Sequence, residues 1–209
     1  MSSIFQYDKQ GNLIDTVDVT AIDSSPYGIT TDRKYLWFVG GENDSIYQVD
    51  KQGNLIVTIA IGAFDNIPAG LTTDRKYLWF VGQQNSMAYQ LDKQGNLIDS
   101  FATTYAPYGI ATDRKYLWVV ELELQANAHL CVYDKQGHLI RDFDLGTQNI
   151  HYGITTDRKY LWVVDGSGAT VNQYDKQAHL IDSWAAGAGE VPTGITTDRK
   201  YLWVCGIPT

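Results

Sequence analysis

The chain has 209 residues, a net charge of −8 and 44% apolar residues, but no apolar run long enough to span a bilayer. Fourteen Tyr, six Trp and 19 Gly point to strands and tight turns rather than helices. Cys131 and Cys205 fall on non-neighbouring repeats, so both are expected as free, small core residues and not as a disulfide or a metal pair.

Residues 1–7 lack a basic segment followed by an apolar stretch, so no secretion signal is expected and a cytoplasmic location follows. The first predicted elements are two strands within 4–19, separated by Asp8-Lys9-Gln10-Gly11-Asn12. A four-strand unit then begins. Its strand A covers 28–31, strand B 35–39, strand C 46–49, and strand D starts at Leu55-Ile56. Strand B, Tyr-Leu-Trp-Phe-Val, is apolar at every position, as in a sheet covered on both faces. Acidic residues in strand D of other copies (Asp15, Asp18, Asp142, Asp144) suit an outer edge that must resist pairing with other molecules.

Two motifs alternate five times along the chain. Asp-Arg-Lys-Tyr-Leu-Trp ends at Trp37, Trp79, Trp118, Trp162 and Trp203; Asp-Lys-Gln-(Gly/Ala)-(Asn/His)-Leu-Ile starts at Asp8, Asp50, Asp92, Asp134 and Asp175. Four strands in a period of some 40 residues is the pattern of a propeller blade. The chain opens on a C and D pair and ends on an A and B pair within 194–205, and neither pair can bury its faces alone. Joined, they complete a fifth blade and leave no open seam. The expected fold is therefore all-β: one five-bladed propeller domain over 1–209, with blades at 26–62, 68–103, 107–146, 151–187, and 192–209 together with 1–20. The five tryptophans should pack between blades, and a monomer is expected.

The turn glycines (Gly11, Gly53, Gly95, Gly137) can adopt a left-handed conformation and close a short bulged hairpin; Ala178 stands in their place in one copy and should make the weakest turn. The Asp-Arg-Lys turns have no glycine and suggest no turn type.

Pro26-Tyr27-Gly28-Ile29-Thr30-Thr31-Asp32, Tyr35-Leu36-Trp37-Phe38-Val39 and Tyr-Asp-Lys-Gln-Gly-Asn-Leu-Ile together resemble the blades of the NHL, SMP-30 and streptogramin-lyase group of propellers, across the whole chain. That resemblance implies the fold, and it implies functions ranging from protein or RNA binding to metal-dependent lactonase or lyase activity. In the lactonases a divalent cation lies near the central channel, held by Glu, Asn and Asp from several blades. Here the inner strand is a repeated Gly-Ile-Thr-Thr, and five blades differ from the group's usual six or more.

Comparing the repeats separates two faces. The two motifs hold 15 of the 16 Lys and Arg and ten of the 24 acids, so the face bearing the A to B and C to D turns carries +5 and the remainder −13. Aromatic side chains are not expected to interleave with those bases as a stacking platform. Length changes fall only in the B to C and D to A connections, on the opposite, acidic face. That face holds the candidate ligand-binding residues Glu42, Asn43, Asp44, Asn85, Tyr105, Glu121, Glu123, His151, Asp165 and Glu190. The acids and hard oxygen donors there suit a cationic group, a divalent cation such as Ca²⁺ or a sugar, and disfavour nucleic acid. His151, read as a loop residue, is a conceivable general base beside Glu121 or Asp165, although a lone loop histidine is ordinarily a surface group. Trp184, opposite smaller residues in other copies, is either a local packing change or an exposed anchor.

The expected function is a non-enzymatic binding or scaffold propeller without a resident cofactor, taking a protein, peptide, glycan or small molecule at the acidic face, with no membrane partner. The alternatives are a metal-dependent lactonase or lyase, and a recently amplified or engineered repeat protein with no specific ligand.

Overall fold

The computed structural model describes residues 2–124, 127–147, 151–157, 159–186 and 190–208. Every regular element among them is a strand, so none is a helix long and apolar enough to cross a membrane. The chain opens with β1 (Ser3–Tyr7) and β2 (Leu13–Asp18). Blade 1 follows as β3 (Pro26–Thr31), β4 (Leu36–Gly40), β5 (Ser45–Val49) and β6 (Leu55–Ala60). Blade 2 is β7 (Pro68–Thr73), β8 (Leu78–Gly82), β9 (Met87–Leu91) and β10 (Leu97–Ala102). Blade 3 is β11 (Ala106–Thr112), β12 (Leu117–Leu122), β13 (Asn127–Tyr133) and β14 (Leu139–Thr147). Blade 4 is β15 (His151–Thr156), β16 (Leu161–Asp165), β17 (Thr170–Tyr174) and β18 (Leu180–Ala185). The last strands, β19 (Glu190–Thr197) and β20 (Leu202–Pro208), pair with the first two in the order β19-β20-β1-β2, and all five sheets are antiparallel. The chain is a five-bladed β-propeller whose fifth blade is built from both ends.

The core lies between blades. Strand β4 sends Leu36 and Phe38 toward blade 5, among Ile4, Val17 and Trp203, and sends Trp37 and Val39 toward blade 2, among Leu71, Leu78 and Phe80. The same two-faced division recurs around the ring. Alternation with period two therefore explains why strand B is apolar throughout: each face meets a different neighbour.

At the axis the blades meet backbone to backbone. A β-carbon placed on Gly28 would lie 2.4 Å from the Ala69 carbonyl oxygen, one on Gly70 2.6 Å from Gly109 Cα, and one on Gly109 2.8 Å from the Tyr152 carbonyl oxygen. On Gly153 it would lie 2.6 Å from Gly194 Cα, and on Gly194 2.2 Å from the Tyr27 carbonyl oxygen, which closes the cycle. The seam between blades 5 and 1 gains two further bonds: the Thr193 hydroxyl donates to the Pro26 carbonyl at 2.6 Å, and the Cys205 thiol to the Tyr27 carbonyl at 3.2 Å.

The basic turn face is held by a repeated clamp. Lys93 of blade 2 lies over the Trp37 ring of blade 1 (5.0 Å) and donates to Asp32 (3.2 Å), which also accepts the Trp37 indole N–H (3.3 Å). Lys9 on Trp162 and Asp157 (2.9 Å) and Lys51 on Trp203 and Asp198 (2.8 Å) repeat the lysine contacts, while Lys135 lies over Trp79 with Asp74 at 3.6 Å and bonds the Thr112 hydroxyl. Lys176 keeps the ring contact with Trp118 (4.5 Å) but bonds the Thr156 hydroxyl. The lysine of each Arg-Lys pair lies over the following tyrosine, as Lys34 does over Tyr35 at 4.7 Å. Base and aromatic are thus interleaved on this face, contrary to the sequence expectation; the turn folds each lysine onto a ring that is distant or merely adjacent in sequence.

In three Asp-Arg-Lys turns the arginine takes positive φ (Arg33 81°, Arg75 81°, Arg199 84°) while the lysine does not, the pattern of a type II′ hairpin turn. The outer turns carry Gly11, Gly53, Gly95 and Gly137 at φ 84–89°, and Ala178 at 63°. Trp184 is half-buried, 5.0 Å from the Tyr7 ring and packed against Gly11, so it is a packing change between blades 4 and 5. Cys131 and Cys205 are free and buried, and burial pushes the Cys205 thiol up to about 12.

Two substitutions test this account. Ala178→Gly should raise stability by about 1 kcal/mol in chemical denaturation, because only the alanine is strained at positive φ. Gly70→Ala, where nothing but backbone can give way, should lose about 3 kcal/mol or more, and an unchanged denaturation midpoint would contradict the axial packing.

Candidate functional site

The acidic face places a carboxylate at an equivalent site in each blade, but not always from the same strand. In blades 1 and 2 strand B ends in Gly40 and Gly82, and a β-carbon on either would fall within 2.2 Å of Asp23 or Asp65, which come from the preceding connection. In blade 5 Glu190 occupies the corresponding space against Gly206. In blades 3 and 4 strand B itself supplies the acid at that register, Glu121 opposite Pro107 and Asp165 opposite His151.

These acids serve the loops. Asp23 accepts the Ser25 amide (2.8 Å), and Asp65 the amides of Ile67 (2.9 Å), Gln84 (3.3 Å) and Asn85 (3.1 Å). Asp165 accepts the Ser167 amide (2.9 Å) and hydroxyl (2.6 Å). Glu121, only 2% exposed, accepts the Tyr105 amide (2.7 Å) and the Tyr133 hydroxyl (2.7 Å). Glu190 takes hydrogen bonds from Ser3, although its Oε2 is buried without a partner. Burial pushes the Glu121 carboxyl up to about 7, against the pull of its two donors, and raises Glu190 as well.

The other sequence candidates scatter. Glu42 and Asn43 are exposed on one loop, where Glu42 accepts the Ser24 amide at 3.3 Å and the Asn43 carbonyl the Ser45 hydroxyl at 2.9 Å. Asp44 holds positive φ in that turn, and its carbonyl accepts the Ile61 amide. Asn85 ties the next loop to the Phe64 carbonyl at 3.2 Å. Blade 3 brings Tyr105, Glu121 and Glu123 near one another. There the Tyr105 ring lies 4.4 Å from that of His129, tilted by 31°; the His129 Nδ1 bonds Asp142 (2.8 Å) and its Nε2 lies 3.6 Å from Glu123.

His151 corrects the sequence reading. It is a strand residue, 4% exposed, paired with Asp165 and without a hydrogen-bond partner on either ring nitrogen. Burial depresses its pKa, with Asp165 opposing. It fills the place taken by Pro26, Pro68, Pro107 and Pro192 elsewhere, and is a buried strand residue rather than a surface loop group. The divalent cation implied by the group resemblance does not fit this face: its buried carboxylates already hold backbone amides, and among the described residues no three of His, Cys, Asp and Glu are placed to hold a metal ion.

A different set lines the mouth of the channel. A cavity of about 310 Å³ opens where the five blades converge, bordered by Tyr27, Tyr108 and Tyr152, with Asn66, Gln83 and Thr193 among its polar neighbours. None of the ten sequence candidates borders it. The tyrosines occupy the position before the axial glycine, where blades 2 and 5 carry Ala69 and Thr193. The repeated Tyr-Gly step was the available signal, and its two exceptions mark where the ring of phenols opens.

No protein-family model matches the sequence, and no curated protein matches it. Solved structures resemble it in fold. Streptogramin B lyase superposes with TM-score 0.58 at 18% identity over 98% of this chain and 72% of that one. Glutaminyl cyclase of Myxococcus xanthus gives 0.73 at 10% identity over 96% and 93%. A gluconolactonase of Xanthomonas campestris gives 0.64 at 17% over 98% and 78%. At such identities the likeness shows the fold alone, a β-propeller.

Because the folded state holds the Glu121 proton up to about 7 against 4.5 when unfolded, it binds more protons than the unfolded chain in that window. Stability is therefore fullest below 4.5 and falls as pH rises to about 7, by on the order of 2–3 kcal/mol for this group. Glu121→Gln should flatten melting temperature across that window; a slope equal to that of the unsubstituted chain would remove Glu121 as its source.

Proposed function

We propose that this chain is a non-enzymatic binding propeller that takes a small guest, or one protruding group of a larger partner, at the channel mouth on its acidic face. The supporting observation is the cavity of about 310 Å³ bordered by Tyr27, Tyr108 and Tyr152. Its size falls in the range of small-ligand pockets. Aromatic rings offer large contact area at little conformational cost, while Asn66 and Gln83 supply both donors and acceptors.

The loops around this mouth are anchored by the buried carboxylates, so their acidity serves shape before contact. A rigid rim presenting variable side chains is the property a binding scaffold needs. Metal-assisted lactone opening or lyase chemistry receives no support from the donor set, since its carboxylates are engaged with amides.

Screening small molecules by ligand-observed NMR should yield guests whose binding weakens about tenfold in Tyr108→Ala, measured at a temperature where circular dichroism shows the variant folded. Guests that bind Tyr108→Ala as tightly as the unsubstituted protein would place the site elsewhere.

A further inference from the structure

Resting on that reading, we infer that the channel mouth selects a quaternary ammonium group, the chemistry of a trimethylated amine. Three features of the mouth lead to this class.

The first is ring geometry. Tyr108 and Tyr152 come from neighbouring blades with centroids 5.9 Å apart and planes inclined at 60°. Two rings so inclined form a wedge, over which one cation can contact both. Tyr27 borders the same cavity from blade 1. The rings are also held in place: a β-carbon on Gly166 would meet the Tyr152 ring at 2.0 Å, and one on Gly41 the Tyr27 ring at 2.2 Å. Tyr152 and Tyr27 therefore each lie directly on a glycine of their own blade's loop. Burial raises the Tyr152 pKa, with Tyr108 and Tyr27 adding to it, so the Tyr152 phenol stays neutral at ordinary pH.

The second is the absence of charge among the bordering residues. They include amides, a threonine hydroxyl, Pro68 and Ile207, but neither a carboxylate nor a base. A metal ion or a primary ammonium entering there would lose hydration without an anionic partner. A quaternary ammonium is weakly hydrated, has no N–H to satisfy, and offers methyl groups to ring faces and apolar walls alike, which is the known use of aromatic cages.

The third is the field. Fifteen of the 16 Lys and Arg lie in motifs of the opposite face, and the rest of the chain carries −13. Such a distribution raises the local concentration of cations at the mouth and repels anions. A saccharide would also stack on tyrosine but would gain nothing from this charge, so the ammonium is favoured.

Choline and its neutral carbon isostere 3,3-dimethylbutan-1-ol, with glucose as a third probe, test the inference by NMR titration of the intact chain. Choline should bind about tenfold more tightly than the isostere, and more weakly as salt is raised. Tyr152→Phe should keep that binding and Tyr152→Leu should lose about tenfold, with Tyr108→Leu as a second variant should the first fold poorly. Equal binding of choline and isostere, or glucose binding without choline, overturns the ammonium inference while leaving the mouth as a binding site. If no probe binds at tens of millimolar, the ammonium inference fails; whether the mouth is a site at all is then decided by the broader screen and Tyr108→Ala.

Discussion

Five inner strands packed backbone against backbone at five glycines is the constraint on which the molecule depends. With so few blades the channel is narrow, and a β-carbon at any of the five axial positions would approach its neighbour to 2.2–2.8 Å, which leaves no space for a residue larger than glycine. The residue just before each glycine is then the first whose side chain can turn toward the channel. Tyr27, Tyr108 and Tyr152 stand at that step, so the requirement that closes the ring also assembles the candidate site from separate blades.

The two faces divide the work of holding this ring. On the turn face each blade's lysine reaches back onto the tryptophan of the blade before it, and in four cases onto the aspartate of that blade's inner turn. Burial alone would raise the Asp32, Asp157 and Asp198 carboxyls, yet amide and lysine donors hold them below the usual range. On the opposite face the acids turn inward to loop amides. Charge that looks like a solvated or ligand-binding surface in the sequence is largely structural on both sides.

That redistribution changes the functional reading. The fold's solved neighbours include a lyase, a lactonase and a cyclase, but activity resides in side-chain constellations and not in the propeller itself. Here the buried carboxylates are engaged with loop amides, and the open concavity is aromatic and uncharged. Blade 3 remains the most individual blade, with His129 between Asp142 and Glu123 and against the tilted ring of Tyr105.

Repeat spacing alone determined the number of blades, the strand order and the shared fifth blade, because each unit must bury two apolar faces and only neighbouring copies can cover them. Positive φ at the turn glycines and the burial of the tryptophans were legible for the same local reasons. The exchange of Asp23, Asp65 and Glu190 for Glu121 and Asp165 was written in the repeats as acid opposite glycine, but its meaning required knowing that both positions fill one space. Which side chains face the channel mouth, and which carboxylates turn inward, only the tertiary structure decided: both depend on how separate blades tilt against one another, and no spacing within a single repeat encodes that.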